Sequence, residues 1–151
     1  MNVGIREISL SDASGMANPD QVERICGKVQ KDFPGVVWWL HFHNTRGLGI
    51  ANILAGMRVG MNRFDTAFIG AGGCPFVPGA AGNVSTEDVV HMFDEMGVFT
   101  GISLDGVMAI GKKAANYLGH APASYVMKAG KCSDLIKTLP KGQGVNHTIQ
   151  K

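Results

Sequence analysis

Apolar and polar positions alternate over Ile5–Leu10, the period of two expected of a strand with one covered face. A polar loop, Ser11 to Gly15, follows. Asn18-Pro19 has the form of an N-cap with proline at the first helical position. Val22, Ile25, Cys26, Val29 and Phe33 then recur at helical spacing, so the pattern predicts an amphipathic helix over roughly 19–32, stopped by Pro34-Gly35. The run Val36 to His43, apolar without a break from Val36 to Leu40, predicts a buried strand. Gly47 to Val59 carries Ile50, Ile53, Leu54 and Met57 on one stripe and predicts a second helix, closed by Gly60. A third strand is expected over Phe64–Ile69 and a glycine-rich loop from Gly70 to about Asn83. Ser85 then caps a third helix, with Asp88 as a capping-box partner and Val89, Val90, Phe93 and Met96 along it, ending at Gly97.

Strand and helix thus alternate three times with short connections. That pattern calls for a parallel sheet with helices outside it, an α/β fold. After Gly97 the pattern turns helical. Asp105 to Leu118 (Val107, Met108, Ala114, Tyr117, Leu118) predicts a fourth helix, and 123–138 hold a further short one. Residues 139–151 are polar and read as a flexible tail.

Composition narrows the function classes. Hydrophobic residues make up 45% of the 151 and charged residues 17%, enough apolar material for a core. The net charge of +2 is too small to point to nucleic acid or an anionic membrane. The longest apolar run falls far short of the ~20 residues of a membrane span. Cys26, Cys74 and Cys132 are an odd set without metal-finger spacing, which points to a reducing, cytoplasmic compartment. Glycine, at 21 residues, is the compositional outlier.

Chemistry gathers where the strands end. His41 and His43 are two apart in a strand, so they share a face with Val37 and Trp39. At the C-terminal end of a parallel strand they are either two ligands of a metal or histidines that simply hydrogen-bond there. Cys74, in Gly70-Ala71-Gly72-Gly73-Cys74-Pro75, is either an acid/base or nucleophilic thiol on a mobile loop or a small residue in a turn. Asn83 offers a hard amide oxygen or serves as an ordinary turn residue. Asp12, past the first strand, would orient a ligand, accept a proton or start an Asx turn. Arg46 would pair with a carboxylate or phosphate, or carry a solvated charge. Cys26 reads as core, Cys132 as an exposed thiol, and His91, His120 and His147 as surface residues. The Trp38-Trp39 pair reads as packing.

His41-Phe42-His43-Asn44-Thr45-Arg46-Gly47, followed by Ala51-Asn52, resembles the metal-dependent aldolase-like lyases built on a TIM barrel. The later loop is more selective. Gly70 to Pro75, then Pro78-Gly79-Ala80-Ala81-Gly82-Asn83 and Thr86-Glu87-Asp88, is similar to the loop of the hydroxymethylglutaryl-CoA lyases. Glu7 to Gly15 also resembles that family's E-I-S-L-x-D-T-x-G, with Ala13 in place of threonine. The likeness covers about residues 3–130. It implies the C-terminal part of a TIM (β/α)8 barrel: the last three βα units over 1–104, a helical segment over 105–138, and the tail at 139–151.

The resemblance also implies roles. His41, His43 and Asn83 would be ligands of a divalent cation, Mg²⁺ or Mn²⁺. Cys74 would be catalytic, and Asp12 would support the metal and substrate site. The reaction implied is retro-Claisen cleavage of 3-hydroxy-3-methylglutaryl-CoA to acetyl-CoA and acetoacetate, with an acyl-CoA as substrate. A complete barrel has eight strands and ~250 residues. The family's first-strand R-D-G or D-R-E motif is not found before Glu7. The expectation is therefore a C-terminal portion, inactive alone, that forms a homo-oligomer or pairs with an N-terminal half. The alternatives are a non-catalytic fragment or interaction module, and a related acyl-CoA lyase or synthase.

Overall fold

The computed structural model describes residues 4–138; the tail expected over 139–151, with His147, lies outside the described residues. Its elements run β1 (Glu7–Asp12), α1 (Pro19–Asp32), β2 (Val37–Phe42), α2 (Gly49–Arg58), β3 (Phe64–Asp65), α3 (Thr86–Glu95), α4 (Leu104–Leu118), α5 (Tyr125–Ala129) and α6 (Cys132–Thr138). The three strands form one parallel sheet in the order β1-β2-β3.

The sheet has two unlike faces. In-register pairing sets Ile8 beside Trp38 and Leu10 beside Leu40, and sets Ser9 beside Trp39 and Ser11 beside His41. The first set faces the helices. Leu40 and Phe42 are buried there with Val22 and Cys26 of α1, Ile53 of α2, and Val89 and Phe93 of α3. The second set is polar, and Glu7, Ser9 and Ser11 are exposed. The period of two in β1 is therefore the sequence trace of one covered and one uncovered face.

Several boundaries differ from the sequence expectation, each for a local reason. β1 begins two residues late, because pairing starts only where Val37 N–H donates to Arg6 C=O. The strand expected over Phe64–Ile69 pairs with β2 only through Leu40–Phe64 and His41–Asp65. Ala67 turns its hydrogen bonds to Val84 and Thr86 instead, and the chain tightens into a 3-10 turn over Phe68–Gly70. α2 starts at Gly49; of the expected stripe Ile53 is buried and Ile50 and Met57 pack against the core, and Gly49, Asn52, Ala55 and Gly56 are buried with them. A side chain at Gly56 would run into Leu40, so the helix rides closer to the sheet than larger residues permit.

In α4 the buried residues are Leu104, Val107 and Gly111, while Tyr117 is 92% exposed. The expected stripe was placed too far toward the C-terminus. Where one short helix was expected over 123–138 there are two, α5 and α6. Asp88 is no capping-box partner. Its backbone N–H donates to Ser85, but its carboxylate accepts from Ser124 Oγ, Tyr125 N–H and Val126 N–H, capping α5 instead.

Candidate active site

The C-terminal end of β2 carries His41 and His43 on the polar face, with ring centroids 5.2 Å apart and edge-on. His43 is buried and His41 half-buried. The returning arm of the glycine loop runs beside them. Asn83 forms an antiparallel bridge with His43, Asn44 N–H donates to Gly82 C=O at 2.9 Å, and Val84 N–H donates to Phe42 C=O at 3.2 Å. Backbone pairing therefore brings together three residues, His41, His43 and Asn83, that are 42 positions apart at the extremes (83 − 41).

Among the described residues, two atoms of this group are buried without a hydrogen-bond partner: His43 Nδ1 and Asn83 Oδ1. The Asn83 amide orientation follows from its N–H, which donates to Ala71 C=O at 2.7 Å and leaves the oxygen free. An unpaired buried polar atom costs about 1–3 kcal/mol. Burial lowers the His43 pKa, the neighbouring His41 lowers it further, and the Asp12 carboxylate opposes both. A neutral imidazole is the form that binds metal. Imidazole nitrogens beside a hard amide oxygen fit a divalent cation, which would satisfy both orphaned atoms.

Cys74 stands on the loop between the 3-10 turn and Asn83, and its half-buried thiol is free of any disulfide. The strand expected to lead directly into this loop ends at Asp65, so Ala67 and the 3-10 turn intervene. The loop has a fixed neck and a lightly held tip. At the neck, a side chain on Gly82 would collide with the carbonyls of Gly70 and Gly72, and all three glycines have positive φ. At the tip, the backbone bonds are Val77 N–H to Cys74 C=O and Ala80 N–H to Val77 C=O, and Phe76 is 90% exposed.

Asp12 is the last residue of β1, not a loop residue beyond it. Its register partner is Phe42, not a histidine. Its carboxylate accepts from Ser14 Oγ (2.8 Å), Ala17 N–H (2.9 Å) and Met16 N–H (3.1 Å), forming the Asx-type turn expected as one alternative for this residue. Burial raises its pKa, but these bonds outweigh it and hold the group below the usual carboxylate value. Asp12 acts on His43 through its field and through the Asp12 carbonyl, which accepts from His43 N–H at 3.1 Å. Arg46 donates to Ser14 C=O at 2.8 Å and so ties two strand-end loops together. Trp39 lies on the polar face, donating to Glu7 and lying under the Arg63 guanidinium at 5.2 Å; Trp38 packs near Phe33 on the other side.

Sequence reading missed two residues here. Asp65 sits level with His41 across the sheet and accepts from Ser9 Oγ at 3.3 Å. Its signal was the alternation Arg63, Asp65 in a strand too short to read. Glu87 is fully buried; both its carboxylate oxygens accept from Ile69 N–H (2.9 and 3.0 Å), and one accepts from Ser85 Oγ at 2.5 Å. Ile69 is a β-branched residue at φ 55, a conformation costing about 1–3 kcal/mol, which Glu87 holds in place. His91, expected to be a surface residue without partners, has a buried Nδ1 and places Nε2 3.6 Å from Cys132 Sγ. Cys26 is core, and burial pushes its thiol up to about 11.

Comparison with known proteins decides the family. The HMGL-like family model matches residues 1–113. The chain belongs to the HMGL-like family. It is 44% identical to the (R)-citramalyl-CoA lyase of Chloroflexus aurantiacus over 130 residues, covering 86% of this chain and 41% of that protein. It is 38% identical to the hydroxymethylglutaryl-CoA lyase YngG of Bacillus subtilis, covering 86% of this chain and 44% of that one. It superposes on an HMG-CoA lyase from A. baumannii, solved with coenzyme A and 3-methylmalate, at a TM-score of 0.81 and 49% identity, covering 87% of this chain and 43% of the other. The three parallel strands and their helices match part of the TIM barrel of such HMG-CoA lyase structures. The chain thus spans less than half the length of these HMGL-like relatives. Among its described residues no helix is long and apolar enough to cross a membrane.

Proposed function

We propose that this chain carries the metal-binding strand end and thiol loop of an acyl-CoA lyase, cleaving 3-hydroxy-3-methylglutaryl-CoA or a close relative of it. The observation that carries this reading is that His43 and Asn83, paired by a backbone bridge, each bury a side-chain atom, Nδ1 and Oδ1, with no hydrogen-bond partner among the described residues. His41, His43 and Asn83 would hold Mg²⁺ or Mn²⁺. A bound divalent cation supplies Lewis acidity that lowers the pKa of the substrate's tertiary hydroxyl.

The chain's own residues supply the rest. In the retro-Claisen step the hydroxyl loses its proton, the C2–C3 bond breaks to give acetoacetate, and the acetyl-CoA enolate takes up a proton. Cys74 would hold or deliver that proton, on a loop whose neck is fixed by Gly70, Gly72 and Gly82 and whose lightly held tip would close over the substrate. Asp12 acts as a positioning residue that fixes the β1–α1 loop and keeps a negative field at His43. Glu87 positions the neck through Ile69. Free thiols at all three cysteines accord with a reducing, cytoplasmic setting.

The uncovered polar face and the free edges of β1 and β3 support a site completed by further chain, either an N-terminal half or another subunit. A groove of about 450 Å³ lined by Leu10, Met16, Val22 and Ile25 flanks β1, and one of about 370 Å³ lined by Met57, Phe64 and Phe99 flanks β3. Both are apolar margins on which a neighbouring βα unit would pack. The substrate has a second reading, citramalyl-CoA, favoured by the 44% identity to the lyase of that name.

The test joins this chain to the N-terminal barrel strands of YngG and follows acetyl-CoA release with Mn²⁺ from both thioesters. The expected result is cleavage of one or both, lost on removing the metal and reduced at least ~100-fold in Cys74→Ala. A folded chimera inert toward both would sink the assignment. Full activity of the 151-residue chain alone would sink the need for completion.

A further inference from the structure

Away from the strand ends, α3 and α6 bring together a second set of ligand-type side chains. His91 and Glu95 lie one turn apart on α3 and share a face. Cys132, the first residue of α6, places its sulfur 3.6 Å from His91 Nε2. One ligand atom from each of His91, Glu95 and Cys132 lies within 4.8 Å of the other two. Among the described residues, the imidazole Nδ1 is buried without a hydrogen-bond partner and Nε2 faces the sulfur. A cation is the partner that imidazole, carboxylate and thiolate have in common.

The surroundings favour one. The site borders a groove of about 350 Å³ shared with Asp94, Asp105 and Lys131. Lys131, in the same groove, is paired with Asp105 at 2.5 Å and lies 3.9 Å from Asp134. The excess at the cluster itself is then acidic.

We propose that His91, Glu95 and Cys132 form a binding site for a zinc-class divalent ion, with a fourth position left to water. Sulfur, nitrogen and oxygen donors together are a zinc set, and the thiolate disfavours Mg²⁺, Mn²⁺ and Ca²⁺. Zn–S near ~2.3 Å and Zn–N near ~2.0 Å place tetrahedral ligands roughly 3.3–3.8 Å apart. The His91–Cys132 separation already falls in that range, and the exposed Glu95 side chain is free to close the remainder. On binding, the Cys132 S–H proton passes to solvent as the S–metal bond forms. The ion would pin α6 to α3, on a part of the molecule that the lyase reading does not use.

The test titrates the full chain with Co²⁺ as a spectroscopic probe for zinc, first unmodified and then with His41→Ala and His43→Ala to remove the strand-end ligands. One equivalent should give a near-ultraviolet thiolate-to-cobalt band with visible tetrahedral bands, reversed by Zn²⁺. Cys132→Ser should abolish the band and Cys74→Ser should leave it. His91→Ala should weaken binding by more than about tenfold, the loss seen even for groups one step removed from an ion. Cys132 is exposed, so circular dichroism of Cys132→Ser should be unchanged. No thiolate band in the folded unmodified chain, or a band that survives Cys132→Ser or disappears in Cys74→Ser, overturns the proposal. None of these outcomes depends on lyase activity.

Discussion

The two faces of the three-stranded sheet follow opposite rules. On the helix side, Leu40 and Phe42 are 1% and 5% exposed, packed by three helices. On the other side, His41 of the same strand and His43 just past its end lie among Glu7, Ser9, Ser11, Trp39 and Asp65. One face holds the chain together and the other presents chemistry, and a single period-two alternation writes both. The lesson is that stability and candidate function are separable here to the level of neighbouring residues. A substitution at an even-numbered β2 position tests folding; one at 41 or 43 tests the site.

The largest effect expected from breaking this comparison is at Leu40. Leu40→Ala empties space that Gly56 and α2 are shaped to meet, and should lower unfolding free energy by about 2–5 kcal/mol in a urea titration. A loss near zero would mean that the helix layer does not anchor β2. Cys26→Ser comes next. It places a hydroxyl among apolar side chains and should cost about 1–3 kcal/mol by the same measurement. In the unmodified chain Cys26 should resist a maleimide at pH 8, since its thiol is buried and its pKa stands at about 11, while exposed Cys132 reacts. Equal rates would contradict the covered face. The smallest effect belongs to Ser9→Ala on the open face, where the side-chain bond at stake among the described residues is the exposed 3.3 Å contact to Asp65. It should stay within about 0.5 kcal/mol, and a larger loss would show that this face carries structural load.

Much of this was legible in the residues because its causes are local. The cap Asn18-Pro19, the alternation in β1, the apolar run of β2 and the serine cap of α3 each act within a few positions. Their expected elements are present with ends shifted by one or two residues. The third strand was misjudged because its length depends on what Ala67 pairs with, and that partner, Ser85, is 18 residues away (85 − 67). The helix faces of α2 and α4 were legible only in part. Ile53 and Val107 are buried as expected, but Gly49, Gly56 and Gly111 lie too close to neighbouring side chains to admit a Cβ, and a hydrophobic pattern scores those residues as blanks.

The candidate site divides in the same way. That His41 and His43 face one side follows from strand geometry alone. That Asn83 lies beside them, with its oxygen unpaired, follows only from the antiparallel bridge and the bond to Ala71. Asp12 shows the reverse: its residue type suits catalysis, yet its bonds make it the organiser of a turn. The His91–Glu95–Cys132 group carried no warning in the sequence, since Cys132 is 41 residues from His91 (132 − 91), and Glu87 stood out there only within the Thr86-Glu87-Asp88 motif, with nothing to mark its bond to Ile69.

By itself, then, the amino-acid sequence determined the order of strands and helices, the parallel sheet and the two-sided character of its strands. These are set by short-range periodicity and capping, which the chain carries in every local window. The tertiary structure alone decided which carboxylates are spent on turns, which polar atoms are left buried without a partner, and which distant side chains meet. Those outcomes depend on backbone register and on the close approaches that glycine permits, and neither is a property of any one stretch of chain.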